Sequence, residues 1–370
     1  MSISLINFIV ILLFALIFGR KNTAKSRMIF ILISSLWFVI LTSIKSISVG
    51  SDTQNYVDYF VETFTIEWAD LPMMMVERYI IHSGEFDIGF IILGKIISTF
   101  THNFHIYTFI VLWIFYLPMC IILYRFSNNF FQLVFAFAFF VALISPHAIY
   151  AGRQLFALGF SFLSFICVDK GHYFKALIYI IIGATLHFSL LLFIIYIVLS
   201  RFLMDQGKKL HYLSFLTFPV ILLFVNQIII FMGDIAGSER YRGYGENGIA
   251  GGANVFISLM FLLSLFCYCG IKEKILSNNL SIKKMYLMLP LLTAFAPLIH
   301  SNGSMIRISL YFFMYMMILV PIAIENFFSP KQVKLVYCIV FSLLFLLSAA
   351  EGGVVYDFYW NDPVGTWNIK

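Results

Sequence analysis

The chain has 370 residues and a formal net charge of +6; 61% of its residues are hydrophobic and only 11% are charged. Soluble domains carry about 25% charged residues, and no soluble shape of this length could cover 43 phenylalanines. A soluble globular protein is therefore excluded, and an all-α polytopic membrane protein is expected.

Apolar runs predict spans near 3–19, 28–46, 106–124, 130–147, 153–168, 212–231, 255–270, 285–300, 304–324 and 335–350. That makes about ten transmembrane helices, most approaching the ~17–25 residues that a crossing needs. The first run is followed, not preceded, by its basic cluster, so no cleavable signal peptide is expected. All five cysteines fall inside apolar runs, and Cys267 and Cys269 are too close in sequence for a zinc pair.

The cluster Arg20–Arg27 (RKNTAKSR) is expected on the cytoplasmic side, which places the N-terminus and the acidic segment 48–87 outside. Two segments resist simple alternation. Residues 88–100 are short and carry Lys95, and residues 176–199 hold Gly183, Thr185, His187 and Ser189 at their centre. Taken as two re-entrant or broken helices on the outer side, they put sixteen of the 24 lysines and arginines inside and fourteen of the 18 acids outside. Irregular backbone at membrane depth survives only where protein or a wet cavity surrounds it, so a cavity is implied. The expectation is one integral membrane domain over 1–370, with outer-face loops at 48–87 and 232–254. The glycine-rich piece 237–252 is read as a mobile loop, without the strand-to-helix setting of a nucleotide site.

The stretch GSDTQNYVDYF (50–60) follows the second span directly and is unusually polar for this chain. With it, the outer face gathers Asp52, Tyr56, Glu85, Asp87, His147, Arg153, Gln154, His187, Arg240, Arg242, His300, Arg307 and the tail YDFYWNDPVGTW. Ionisable groups at membrane depth are costly and point to function. Arg153 opens a span, where snorkelling to the interface is the alternative; Arg307 lies a turn inside its span, where snorkelling is harder. His187 sits mid-segment and reads either as a packed histidine or as a base able to take a hydroxyl proton near neutral pH. Several arginines suggest an anionic ligand held bidentately, and rings beside carboxylates suggest a carbohydrate. Phosphate at lipid depth with sugar above it describes a polyprenyl-diphosphate-linked saccharide. The outer histidines show no metal-ligand spacing, although Asp52 and Glu85 leave a divalent ion open. No cofactor and no nucleic-acid partner are expected.

The motifs GSDTQNYVDYF, EFDIGF (85–90), GRQLFALGF (152–160) and LHFSLL (186–191), with Arg240-Tyr241 and the Arg307-to-Tyr311 stretch, resemble the EpsG family over roughly 1–325. The family's usual Glu-Pro-Gly-Phe reads EFDIGF here. That family is grouped with the Wzy polymerases of bacterial surface polysaccharides. The resemblance implies a GT-C-like glycosyltransferase of the bacterial inner membrane, its active site facing the periplasm or outer side. It would move a growing glycan from undecaprenyl diphosphate onto one lipid-linked repeat unit, for an O-antigen or a capsule. A chain-length regulator in the membrane would be a partner. On this reading Arg153 and Arg307, helped by Arg240 or Arg242, neutralise the diphosphate, with His187 first and Asp52 second as the base. Tyr56, Glu85, Gln154, Tyr244 and Tyr311 contact substrate. The rivals are a ligase or acyltransferase, and a lipid-linked glycan flippase without chemistry.

Overall fold

A computed structural model describes residues 2–19, 22–50, 52–77, 88–146, 152–236, 239–246, 253–350 and 356–362. The described chain is helical throughout, with one isolated antiparallel bridge between Lys45 and Phe358. Five helices are long and apolar enough to cross a membrane, or up to seven if each of two bent pairs counts as one span. The protein is a multi-pass membrane protein. Further expected runs, such as Ile3–Phe18 and Phe130–Leu143, form shorter apolar helices of 10–17 residues. The chain packs as two compact units, one from 1–166, 178–188 and 335–370, the other from 167–177 and 189–334.

In the first unit, helices Ala24–Ser43 and Phe104–Phe126 run antiparallel, and their ends are tied by polar contacts. At one end the Arg27 guanidinium donates to the Ser127 carbonyl at 2.8 Å, while Phe130 N donates to Asn22 Oδ1 at 3.1 Å. At the other, the His105 imidazole Nδ1 bonds the Ser43 carbonyl. Asn103 caps the second helix by accepting from His105 N and Ile106 N. Helix Gly152–Asp169 meets this pair through Gly159, where an added Cβ would lie 2.0 Å from the Ile114 carbonyl oxygen. Small residues that let backbones approach are the usual means of joining helices in lipid, which supplies no hydrophobic drive between them. Between these contacts Phe30, Phe38, Phe115, Tyr116, Phe137 and Phe140 fill the core. Helix Pro330–Ala350 closes the unit with most of its surface outward, its Ser348 carbonyl accepting from Ser2 Oγ at 2.6 Å.

The second unit is built around Leu280–His300, the most enclosed of the candidate spans. His211, fully buried, reaches Ser264 Oγ at 2.8 Å, and Ser264 reaches Thr293 Oγ1 at 2.8 Å, so three helices share one satisfied polar core. One end of the unit is basic: Lys283 pairs with Asp205, Lys208 with Glu273, and Lys284 Nζ donates to the Val168 and Asp169 carbonyls. These are lysines that the charge pattern assigns to the inside.

Both irregular segments depart from straight spans. Residues 88–98 form an 11-residue helix, too short to cross, and the later segment breaks at His187 between Tyr173–Leu186 and a 3-10 turn over Phe188–Phe193. Two expected spans differ. The run 304–324 bends by 58° between Phe313 and Met316, and the run 212–231 is interrupted at Phe224. The glycine-rich region also differs from the expected loop, because Glu239–Glu246 is a helix packed on Val225–Ala236. An added Cβ at Gly233 would lie 2.6 Å from Arg242 N, and one at Gly245 would lie 2.6 Å from Ile230 Cγ1. These glycines serve a tight helical hairpin, not a loop.

Candidate functional site

The polar stretch after the second span turns through Gly50, whose φ of 95° suits glycine, and then forms helix Thr53–Glu62. Asp52 sits at its N-terminus, where a carboxylate meets the positive end of the backbone dipole. One turn on, Tyr56 is buried, and its hydroxyl points to Asp52 Oδ2 at the long distance of 3.5 Å. Helix Gly152–Asp169 begins against this ring: a Cβ at Gly152 would lie 3.1 Å from Tyr56 Cε2. The absence of a side chain there lets the next residue reach over. Arg153 Cζ lies 5.9 Å from the Tyr56 ring centre and 6.0 Å from that of Phe90, within cation–π reach of both rings, whose centres are 5.7 Å apart. Gln154 is buried beside it in the sequence. Phe90 belongs to the short helix Ile88–Ser98, and the neighbouring Gly89 abuts Thr185, to whose Oγ1 an added Cβ would come within 2.1 Å. The break at His187 is thus anchored two residues from a helix that carries the Phe90 wall. His187 is half-buried, and its backbone N–H still bonds the Gly183 carbonyl at 3.0 Å.

One member was not singled out from sequence. Lys45 is buried, with 7% of its surface exposed, and its Nζ donates to Thr53 Oγ1 at 2.9 Å. Thr53 passes the bond on to the Val49 carbonyl at 2.6 Å. Burial pushes the Lys45 ammonium down from 10.5 to about 7, against the opposing pull of the Asp52 charge. The burial comes from the C-terminal segment. Ser46 N donates to the Asp357 carbonyl at 2.9 Å and Tyr359 N to the Ile44 carbonyl at 3.0 Å, while the Asp362 carboxylate accepts from the Ser46 hydroxyl and from Ile47 N. Tyr359 also lies on the His105 ring, centroids 4.3 Å apart. The sequence signal was faint: a lysine at the end of a span, seven residues before Asp52.

The remaining expected residues lie in the second unit. Arg307 is half-buried one residue into helix Ile306–Phe313, and Tyr311, fully buried, shares a 3.1 Å hydrogen bond with Ser189. Tyr244 packs on a core that includes Met305 and Ile308, within two residues of Arg307, and its carbonyl accepts from Ser301 Oγ at 2.7 Å. Arg242 is exposed and spans two carboxylates, Glu246 at 3.0 Å and Asp234 at 3.9 Å, which compete for it as an anion ligand. The His300 ring meets Asn254 Oδ1 at 3.0 Å. Glu85, Asp87 and His147, and the side chain of Arg240, lie outside the described residues. Among the described residues, no three His, Cys, Asp or Glu side chains gather as a metal site.

Within the first unit the structure therefore joins Asp52, Tyr56 and Arg153, adds Lys45 and Thr53, and sets the His187 break against the same short helix. A carboxylate near a buried lysine, with an arginine against two rings, can bind hydroxyls on one side and a phosphate on the other. No curated protein and no solved structure matches the chain. A family model does match, over residues 28–359, and it reaches past the stretch expected from the motifs to take in the strap at Phe358 and Tyr359; the chain belongs to the EpsG family.

Proposed function

We propose that this membrane protein is a polysaccharide polymerase, a glycosyltransferase that joins undecaprenyl-diphosphate-linked repeat units into a surface glycan such as an O-antigen. The observation that carries the reading is the placement of Arg153 over Tyr56 and Phe90, beside Asp52, in a chain of the EpsG family. In the reaction an acceptor hydroxyl attacks the anomeric carbon of the lipid-linked glycan. The bond from that carbon to the diphosphate oxygen breaks, and the hydroxyl proton passes to a base, His187 or, failing it, Asp52. Direct displacement inverts the anomeric centre. Arg153 holds the departing diphosphate in the plane of its guanidinium; preorganised charge of this kind is usually the largest catalytic contribution. Lys45 carries a proton that is easily lost near neutral pH, so it sets the charge felt by Asp52.

Deleting the gene and resolving the surface glycan on a gel tests this. A polymerase deletion leaves a single repeat unit on the carrier molecule. A ligase deletion leaves no glycan there, and a flippase deletion accumulates lipid-linked units on the inner side; either result would replace the proposal.

A further inference from the structure

The tail segment Tyr356–Asp362 has a feature that the roles above leave unused. Phe358 and Trp360 are stacked face to face, ring centroids 4.4 Å apart and planes within 8°. Phe358 is half-buried, whereas Trp360 is 58% exposed, so the pair presents one indole to the outside with its other side backed by a ring. The platform is held by backbone: Phe358 is the bridge partner of Lys45, and the turn Tyr359–Asn361 is pinned by Tyr359 N and by the Asp362 carboxylate. Asp357 and Asn361 flank the pair in sequence, and Asn361 Nδ2 and Phe358 N both donate to Asp357 Oδ1, at 2.6 and 2.8 Å. Both bonds reach the same oxygen, and among the described residues Asp357 Oδ2 and Asn361 Oδ1 are left as acceptors on these two flanking residues.

We infer that Trp360, Asp357 and Asn361 form a saccharide subsite, on which a sugar of the glycan stacks while its rim hydroxyls donate to the carboxylate and the amide. The chemistry selects this occupant. A pyranose offers an apolar C–H face with hydroxyls around its edge, and that matches an aromatic plane bordered by acceptors. A lipid chain gains nothing from a carboxylate flanking the pair, and an anionic headgroup is repelled by it. The position agrees, because the strap that carries the platform is the one that covers Lys45, which bonds Thr53 next to Asp52. The inference rests on the proposed function in that it takes the ligand to be the glycan.

The test uses the full chain in nanodiscs and oligosaccharides of one to four repeat units cut from the producing cells' own surface polysaccharide. Saturation-transfer NMR titrations give the affinity, and the gel gives polymer length. Trp360→Ala should weaken oligosaccharide binding by roughly tenfold, the worth of one good aromatic contact. Trp360→Phe should recover most of that loss, and Asp357→Asn should weaken binding severalfold without disturbing the stack. Unchanged affinity in Trp360→Phe, Trp360→Ala and Asp357→Asn alike would overturn the inference, also where Trp360→Ala lowers only thermal stability, as a membrane-interface anchor would. If Trp360→Ala fails to fold, Asp357→Asn decides. Trp360-dependent binding by a chain that makes no polymer would sustain the subsite while the polymerase reading falls. Normal polymer with binding indifferent to these substitutions would do the reverse.

Discussion

Lys45 donates from Nζ to Thr53 Oγ1 at 2.9 Å, and both side chains are buried under a strap from the far end of the chain. Burial lowers the Lys45 pKa to about 7 from 10.5 in the unfolded chain. Between those values the unfolded state binds more protons, so stability rises with pH across the window and is lost again as pH falls toward 7. Lys45→Met removes the titration. Relative to that variant, the wild type should gain roughly 2–3 kcal/mol between pH 7 and pH 9, at about 1.4 kcal/mol per pH unit. Thermal melts of both proteins in the same detergent at the two pH values measure it; parallel pH profiles would show that Lys45 is not held in a dry site.

Arg153 lies within cation–π reach of two rings, a setting that favours a guanidinium over a compact ammonium. Arg153→Lys and Arg307→Lys should each lose most polymer formation although charge is retained. A snorkelling or purely electrostatic arginine tolerates lysine. Normal-length polymer from both variants at normal protein levels would remove the diphosphate assignment.

The apolar runs were legible because lipid demands long unbroken hydrophobic helices, and the break at His187 was legible from Gly183, Thr185 and Ser189 crowding one segment. The bend after Phe313 was not, since FFMYMMILV contains no breaker and the one proline of the second helix, Pro321, lies a turn past the break. Glycines 233 and 245 read as loop residues in sequence, yet each is set by a partner helix across a hairpin. Lys45 illustrates the same limit. Its burial depends on residues 356–362, so no local pattern around SIKSIS could reveal it. Tyr56, Asp52 and Arg153 were recognisable as polar residues at span ends, but their meeting required the fold.

Gly159 abuts backbone, the Ile114 carbonyl, so nothing flexible can yield to a methyl group there. Gly159→Ala should destabilise the protein by about 1–3 kcal/mol or more. Gly303, beside which a Cβ would meet nothing within 4 Å, provides the control, and Gly303→Ala should stay within about 0.5 kcal/mol. Equal melting temperatures for the two alanine variants would mean that the helices separate without cost.

The charge pattern assigns the Lys283–Asp205 end of the second unit to the cytoplasm and the Arg242–Glu246 helix to the outside. Asp205→Cys and Glu246→Cys, each in a background lacking the five native cysteines, should label with an impermeant maleimide from opposite sides. Labelling of both from the same side would show that the run 212–231, which separates the two sites, does not cross.

Asp52 and His187 can be separated by what each substitution removes. His187 is half-buried at a helix break, and His187→Gln keeps much of its shape and hydrogen bonding while deleting the titratable ring. If His187 takes the acceptor proton, turnover should fall by ~10²–10⁴ with lipid-linked substrate still bound, the usual worth of a general base. Asp52 faces Tyr56 and the Lys45–Thr53 pair at the mouth of the site, where a carboxylate orients acceptor hydroxyls. Asp52→Asn should raise KM first, with a smaller loss in kcat. Both variants belong in one reconstituted assay with purified lipid-linked repeat units. Near-normal turnover in His187→Gln, together with collapsed turnover and intact binding in Asp52→Asn, would transfer the base to Asp52. His187 would then be a packed histidine at the break, two residues beyond Thr185, which abuts Gly89 beside the Phe90 wall.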